Sequence, residues 1–223
     1  NTGTLDAVFF SGASFIFDPS TASTAGTISI NIGLLTNATG TITVNGGAQS
    51  YLKIRDASGG GGSEVGDITM TTDESLTMYA AVYDADGNYL QDVSVDWTST
   101  GTLNSVNTSN SIFVFSPITF ETAGSIVISS GSLIGDETGT ITVNGGAQSY
   151  LKIRDASGGG GNEVGDVSMT TDESLTMYAA VYDADDNYLQ DITVDWTSTG
   201  TLDALSYSGT SFIFDPSTAS TAV

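Results

Sequence analysis

Between Gly46 and Asn144 apolar and polar residues alternate in short runs. Leu52 and Ile54 alternate with Lys53 and Arg55. Leu76, Met78, Ala80 and Val82 share one parity, and Thr77, Tyr79, Ala81 and Tyr83 the other. Val93, Val95 and Trp97 alternate with Ser94 and Asp96. Phe113 and Phe115 flank Val114, Ile126 and Ile128 flank Val127, and Ile141 and Val143 flank Thr142. A period of two sends successive side chains to opposite faces of an extended chain, so each run predicts a strand with one buried face. Gly, Asn, Asp and Ser collect between the runs, where turns call for them. No segment keeps a 3.6-residue period. The expected fold class is all-β.

The pattern repeats. "GGAQSYLKIRDASGGGG" at Gly46–Gly62 returns at Gly145–Gly161, an offset of 99 residues, and Gly46–Gly101 differs from Gly145–Gly200 at 6 of 56 positions. Only Gly87 against Asp186 is more than a mild change. Thr100–Ser129 matches Thr2–Asn31 in pattern, while the copy beginning at Thr199 is closer to the one beginning at Thr2. Copies thus alternate in type, and "SFIFDPSTAST" recurs word for word at Ser14 and Ser211, a larger period of 197 residues. About seven short strands in about 100 residues, with a tryptophan on the third main strand, is the pattern of an immunoglobulin-like sandwich. The expected architecture is therefore tandem immunoglobulin-like β-sandwich domains of about 99 residues, head to tail. Residues 1–45 hold the C-terminal strands of one domain, 46–144 form a complete one, and 145–223 form a third without its last strands.

An open sandwich exposes inner faces and strand edges, and two arrangements would close it. In one, the chain is a stretch of a longer repetitive polypeptide. In the other, it is a subunit whose Gly26–Asn45 strands fill the open domain of a neighbour, a form of strand donation. The shared "SFIFDPSTAST" favours the first, since a donating subunit needs that element once. Either way the expected partners are copies of itself, head to tail.

"YAAVYDADGNYLQDVSVDWTSTGTL", the aromatic pair before proline in "FVFSP", then "TAGSIVIS" and "TGTITVN" together resemble the bacterial Ig-like repeats of invasin type. Such repeats stand in tandem in large cell-surface adhesins and extracellular fibres. The resemblance spans the chain and implies an extracellular or cell-surface location, a structural role as part of a filament or adhesin stalk, and contacts with other fibres or a host surface. A glycan- or protein-binding adhesin module is the alternative, and a strand-donating fibre subunit a further one.

Composition narrows this. Twenty-six acidic residues face 4 basic ones, a net charge of −22. Such a surface repels nucleic acid and anionic membrane, which need Lys and Arg against their phosphates. No apolar run approaches the ~18 residues of a membrane helix, so no membrane insertion is expected in this region. Without cysteine or histidine, thiol nucleophiles, thiolate zinc sites and a Ser-His-Asp relay are excluded. An active site is seldom duplicated in near-identical small sandwiches, so no enzyme is expected.

"DADGN" at Asp84–Asn88 places oxygen ligands at alternate positions, as calcium loops do, but lacks the later glycine and terminal glutamate of an EF-hand. It makes better sense as a turn between the strand ending at Tyr83 and that beginning near Tyr89, with a positive φ at Gly87 that Asp186 of "DADDN" tolerates. The expected cofactor is none, or calcium. Its ligands would be Asp84, Asp86 and Asn88, with Asp183, Asp185 and Asn187 in the second copy, or Asp56, Glu64, Asp155 and Glu163 at domain junctions. The glycine run at Gly59–Gly62 lacks the Lys-Ser/Thr of a phosphate loop and reads as a flexible crossing. All four basic residues, Lys53, Arg55, Lys152 and Arg154, fall in "KIR" on outward faces and are candidates for interdomain or inter-fibre contacts. Asn37 and Asn107 fit the glycan acceptor triplet.

Overall fold

The computed structural model describes residues 2–219; Ser220 and Thr221, which close the second "SFIFDPSTAST", lie outside the described residues, as do residues 1, 222 and 223 of the expected domain segments. Among the described residues every regular element is a strand and none is a helix. At the centre of one sheet Leu76–Tyr83 runs antiparallel to Tyr51–Arg55, to Ile112–Phe115 and to Tyr89–Asp92. A second sheet has the order Asn107–Asn110, Val95–Ser99, Ile126–Ser129, Asp136–Glu137. A third orders Thr122–Gly124, Ile141–Asn144, Ile68–Thr71. Multiple sheets with buried inner faces are consistent with a β-sandwich.

The chain divides into two compact units. Among the described residues the first comprises 2–68, 76–115 and 123–141, the second 69–75, 116–122 and 142–219. Segments 69–75 and 116–122 group with the later segment, and hydrogen bonds described below run there from both.

In the first unit the core follows the alternation. Leu52, Ile54, Met78, Ala80, Val82, Val95, Trp97, Phe115, Ile126, Ile128 and Ile141 are buried. Trp97 lies 5.4 Å from the Phe113 ring, and its indole N–H donates to the Asn110 carbonyl at 2.8 Å, so the large ring is buried without leaving its polar atom unpaired. Alternation alone fails at one place: Ala81 and Tyr83, of outward parity, are buried too. Tyr51 stacks on Tyr83 at 5.5 Å, and Tyr89 meets it edge-on at 5.9 Å. The glycine loop closes over Tyr89, since a Cβ on Gly60 would come within 2.5 Å of that ring. The same unit holds the sheet of Thr2–Gly3, Thr24–Thr27 and Ile42–Val44, and the hairpin Ser29–Ile32 with Leu35–Ala38. Thr39 donates its N–H to the Ile28 carbonyl at 2.9 Å and accepts from the Ile28 N–H on Oγ1 at 3.0 Å.

In the second unit Leu175–Tyr182 pairs with Tyr150–Arg154, Tyr188–Asp191 and Ser211–Phe214, and Val194–Thr197 pairs with Ser206–Gly209. The registers reproduce those of the first unit: Leu151 opposes Val181 as Leu52 opposes Val82. Burial does not follow. Leu52 and Ile54 are 1% and 0% exposed, whereas Leu151 and Ile153 are 55% and 45% exposed. In the first unit the neighbouring edge is occupied: Leu52 N–H donates to the Ile134 carbonyl at 2.9 Å and Ile54 N–H to Asp136 Oδ2 at 2.7 Å.

The repeat supplies its own control for this difference. Ile54→Ala should destabilise the first unit by about 2–5 kcal/mol, the usual cost of emptying a packed site. Ile153→Ala should destabilise the second by less than about 1 kcal/mol in dilute solution. Urea unfolding followed through Trp97 in a Trp196→Phe background, and through Trp196 in a Trp97→Phe background, reads the two units separately because each holds one of the two tryptophans. Equal losses would contradict the uncovered face.

Candidate functional site: a repeated aspartate–asparagine latch

The "DADGN" loop follows the strand Leu76–Tyr83. Asp84 donates its N–H to the Asn88 carbonyl at 3.0 Å, and Gly87 N–H donates to the Asp84 carbonyl at 3.2 Å, closing a turn in which Gly87 has φ 85°. In the second copy Asp186 adopts φ 69° at the same place, a region aspartate tolerates better than most residues.

The Asp84 carboxylate is buried inside this turn. Its Oδ1 accepts from Asp86 N–H at 3.1 Å and Asn88 N–H at 2.8 Å; its Oδ2 accepts from Gly47 N–H at 2.9 Å. The Asn88 side-chain amide lies 3.1 and 3.0 Å from the two oxygens and also donates to the Ser20 carbonyl at 2.9 Å. Asn88 Oδ1 accepts from Ala22 N–H at 3.0 Å. One side chain therefore joins the loop to the "DPST" segment of the preceding repeat, within the first unit. The Gly46 position is tight, because a Cβ there would lie 2.3 Å from Leu90.

The second unit repeats the arrangement. Asp183 Oδ1 accepts from Asp185 N–H at 3.1 Å and Asn187 N–H at 2.9 Å, and Oδ2 from Gly146 N–H at 3.2 Å and Thr72 Oγ1 at 2.9 Å. Asn187 donates to the Ile118 carbonyl at 3.0 Å, and Ile118 stands in "SPIT" where Ser20 stands in "DPST". Asp73 Oδ2 takes Ala147 N–H at 2.6 Å, fixing the glycine pair a second time.

Of the residues expected to hold calcium, Asp84 with Asn88 and Asp183 with Asn187 are thus brought together, each aspartate oxygen facing an N–H or O–H donor. Asp56 Oδ1 accepts from Ser63 N–H at 2.7 Å, Asp155 Oδ1 from Asn162 N–H at 2.6 Å, and Glu64 Oε1 from Lys53. Glu163 sits in an isolated bridge with Arg154, as Glu64 does with Arg55. Among the described residues no group of three acidic side chains is placed to hold a metal ion.

The basic residues engage their own units. Arg55 donates to the carbonyls of Gly60, Gly61 and Gly62 at 3.4, 3.1 and 2.6 Å, and Arg154 does the same for Gly159, Gly160 and Gly161 at 3.1, 3.2 and 2.6 Å. The glycine run is consequently a gripped loop, not the loose crossing its composition suggests. Lys53 Nζ lies 2.6 Å from Glu64 and 3.9 Å from Asp136. Lys152 turns elsewhere, 2.7 Å from Asp186 and over the rings of Tyr150 and Tyr182 at 5.3 and 4.7 Å. Asn37 and Asn107 both lie exposed on strands, Leu35–Ala38 and Asn107–Asn110. Sequence reasoning missed the latch partners Gly47, Gly146, Thr72, Ser20 and Ile118; the one available signal was the return of "GGAQ" after "TVN" at both junctions. No family model, curated protein or solved structure matches this chain.

Hydrogen bonding sets the electrostatics. The Gly47 N–H, then the Asn88 amide, hold the Asp84 carboxyl below its ordinary value. Burial pushes Asp183 up, but the donors of Asn187, Gly146 and Thr72 outweigh it and the carboxyl ends lowered. A carboxylate with a depressed folded-state pKa contributes stability that is present above its unfolded value and lost as pH falls through the folded one. Both latches should therefore loosen below about pH 4. Asp136 has the opposite sign: burial raises it, so its ionisation costs stability that acidification restores. Thermal melts between about pH 5 and pH 3 should show the Trp97-reported transition falling, and Asp84→Asn should start lower and fall less. An unchanged drop in that variant would remove Asp84 as the cause. Millimolar calcium should leave both transitions unmoved, because binding it means exchanging donors already in place; a clear rise in melting temperature would establish a cation site.

Proposed function

We propose that this chain is a structural segment of a repetitive extracellular filament or adhesin stalk, built from tandem immunoglobulin-like domains. The observation that carries the reading is the latch. The same Asp–Asn–Gly geometry recurs at residues 84, 88 and 47 and at residues 183, 187 and 146, reaching the same carbonyl position at Ser20 and Ile118. A side chain that ties the entry of one repeat to the exit of the last gives a linear array defined junctions, each repeat meeting mainly its neighbours in sequence.

Length then comes from repetition, and the acidic surface keeps crowded strands apart in solution. The reading assigns no catalysis and no nucleic-acid contact; its partners are copies of the same repeat, then other fibres or a host surface. Gold-labelled antibodies against residues 46–144, applied to intact, unpermeabilised cells of the source organism, should decorate threads leaving the cell surface at regular spacing. Label that appears only after permeabilisation would overturn the proposal.

A further inference from the structure

We propose that the Lys53 and Asp136 side chains join in an amide bond, formed within the folded first unit with Glu64 as the base. The bond belongs to one unit and holds whether or not the repeats form a filament.

The edge of one strand brings the three groups together. Tyr51–Arg55 pairs with Leu76–Tyr83 on one side. On its other side Tyr51 bridges Ile134, Arg55 bridges Glu64, and Val65 N–H donates to the Ile54 carbonyl at 3.0 Å. Ile54 N–H, on that same edge, goes to a side chain, since Asp136 Oδ2 accepts it at 2.7 Å. Lys53 stands between the two acids, with Nζ 2.6 Å from Glu64 Oε1 and 3.9 Å from Asp136 Oδ1. Asp136 is the most enclosed of the three side chains, 14% exposed against 32% for Lys53 and 46% for Glu64. A surface ion pair requires one carboxylate. Here a second, enclosed and pinned by a backbone donor, faces the same nitrogen.

Burial, aided by the Glu64 charge, pushes the Asp136 carboxyl up against the pull of Ile54 N–H and Lys53. That favours the neutral acid, the form that can lose its hydroxyl as water. The hydrogen bond to Glu64 pushes Lys53 up, and the same contact gives the surplus ammonium proton a place to go. Glu64 takes that proton and frees the lone pair on Nζ. A small shift of the flexible lysine stem then brings Nζ within about 3–3.5 Å of Asp136 Cγ. As the C–N bond forms, negative charge collects on Oδ2, where Ile54 N–H already points. Glu64 returns its proton to Oδ1, the electron pair on Oδ2 restores the carbonyl, and Oδ1 leaves as water. The nitrogen gives its second proton to Glu64, which releases it to solvent. An ammonium, a carboxylic acid and a carboxylate thus become an amide, one water and a carboxylic acid, with no oxidant or other co-reactant.

The bond ties Tyr51–Arg55 to the segment packed on its edge and closes a loop from residue 53 to residue 136, which limits what unfolding can gain. The chain has no cysteine, so no disulfide can do this. Intact-mass spectrometry of the full chain, folded and incubated at neutral pH, should give a mass one water below that of the sequence. Trypsin applied after unfolding should cut after Arg55 but not after Lys53, leaving residues 1–55 attached to the peptide that carries Asp136. Lys53→Arg keeps the positive charge without a nucleophilic amine, and Asp136→Ala removes the acceptor; both should show the full mass and melt below the linked chain. Glu64→Gln keeps the shape without the base and should slow the loss of water about a hundredfold or more. Lys152→Arg should link as wild type does. A wild-type chain that Trp97 emission shows to be folded, yet keeps its full sequence mass after prolonged incubation, holds only an ion pair and overturns the proposal. Loss of water that persists in Lys53→Arg overturns it as well, and an unslowed Glu64→Gln overturns the assignment of the base.

Discussion

Each junction depends on one buried carboxylate. An aspartate removed from water is costly unless its lone pairs are met, and Asp84 can meet them only if three things happen together. Its own turn must close, to aim the N–H groups of Asp86 and Asn88 inward. The chain entering the repeat must pass close by, to bring Gly47 N–H to Oδ2. And Asn88 must fold over the carboxylate, which leaves its amide reaching Ser20. Each condition is local, but the shared acceptor couples them, so the cost of burying one charge fixes how the backbone enters each repeat. Asp183 adds the Thr72 hydroxyl to the same set.

What the two copies share and where they differ follows the energies involved. The latch residues, the glycine pair and the arginine grip on the glycine loop are the same in both. The one substantial change, Gly87 to Asp186, keeps the positive φ that the turn demands and alters only the surface. It gives Lys152 a carboxylate that Lys53 lacks, and Lys53 turns to Glu64 instead. Exposed pairs of this kind contribute about 0–1 kcal/mol, so the lysine can trade partners freely while the turn cannot trade its conformation.

The strands were legible because a period of two reports on one strand at a time: Leu52, Ile54, Met78 and Trp97 face inward as their spacing says. The turn at Gly87 was legible for the same local reason. The second face of Leu76–Tyr83 was not, since Tyr83 is covered by Tyr51 and Tyr89, and the glycine loop that Arg55 holds closes over Tyr89. The latch was half legible. Its loop announced itself by composition, but its partners lie 37, 68 and 111 residues away, and no local period links them to it. Least legible of all was the exposure of Leu151 and Ile153. They sit in the same words as Leu52 and Ile54, and no reading of identical words can give different burial; only the covering segment decides it.

Near-identical neighbours bring a hazard, because a front half can accept a cover from the wrong repeat. The front halves at Gly46–Gly101 and Gly145–Gly200 scarcely differ, so discrimination falls to the rest of the unit, and there the copies alternate. Asp6 accepts the Ser20 N–H at 2.7 Å and Asp203 accepts the Ser217 N–H at 2.7 Å, clipping "DPST" in both outer copies. The middle copy has Asn104 and "SPIT" at these places, and Phe120 joins Leu189 beside Gly145, where Leu90 alone stands beside Gly46. The latch is constant while the residue at this position alternates between Asp and Asn, so a slip of one repeat exchanges a charged side chain for a neutral one, and only a slip of two restores the same letters. The 197-residue period is thus carried by residues that flank the latch and not by the carboxylate itself, which is Asp at both 84 and 183.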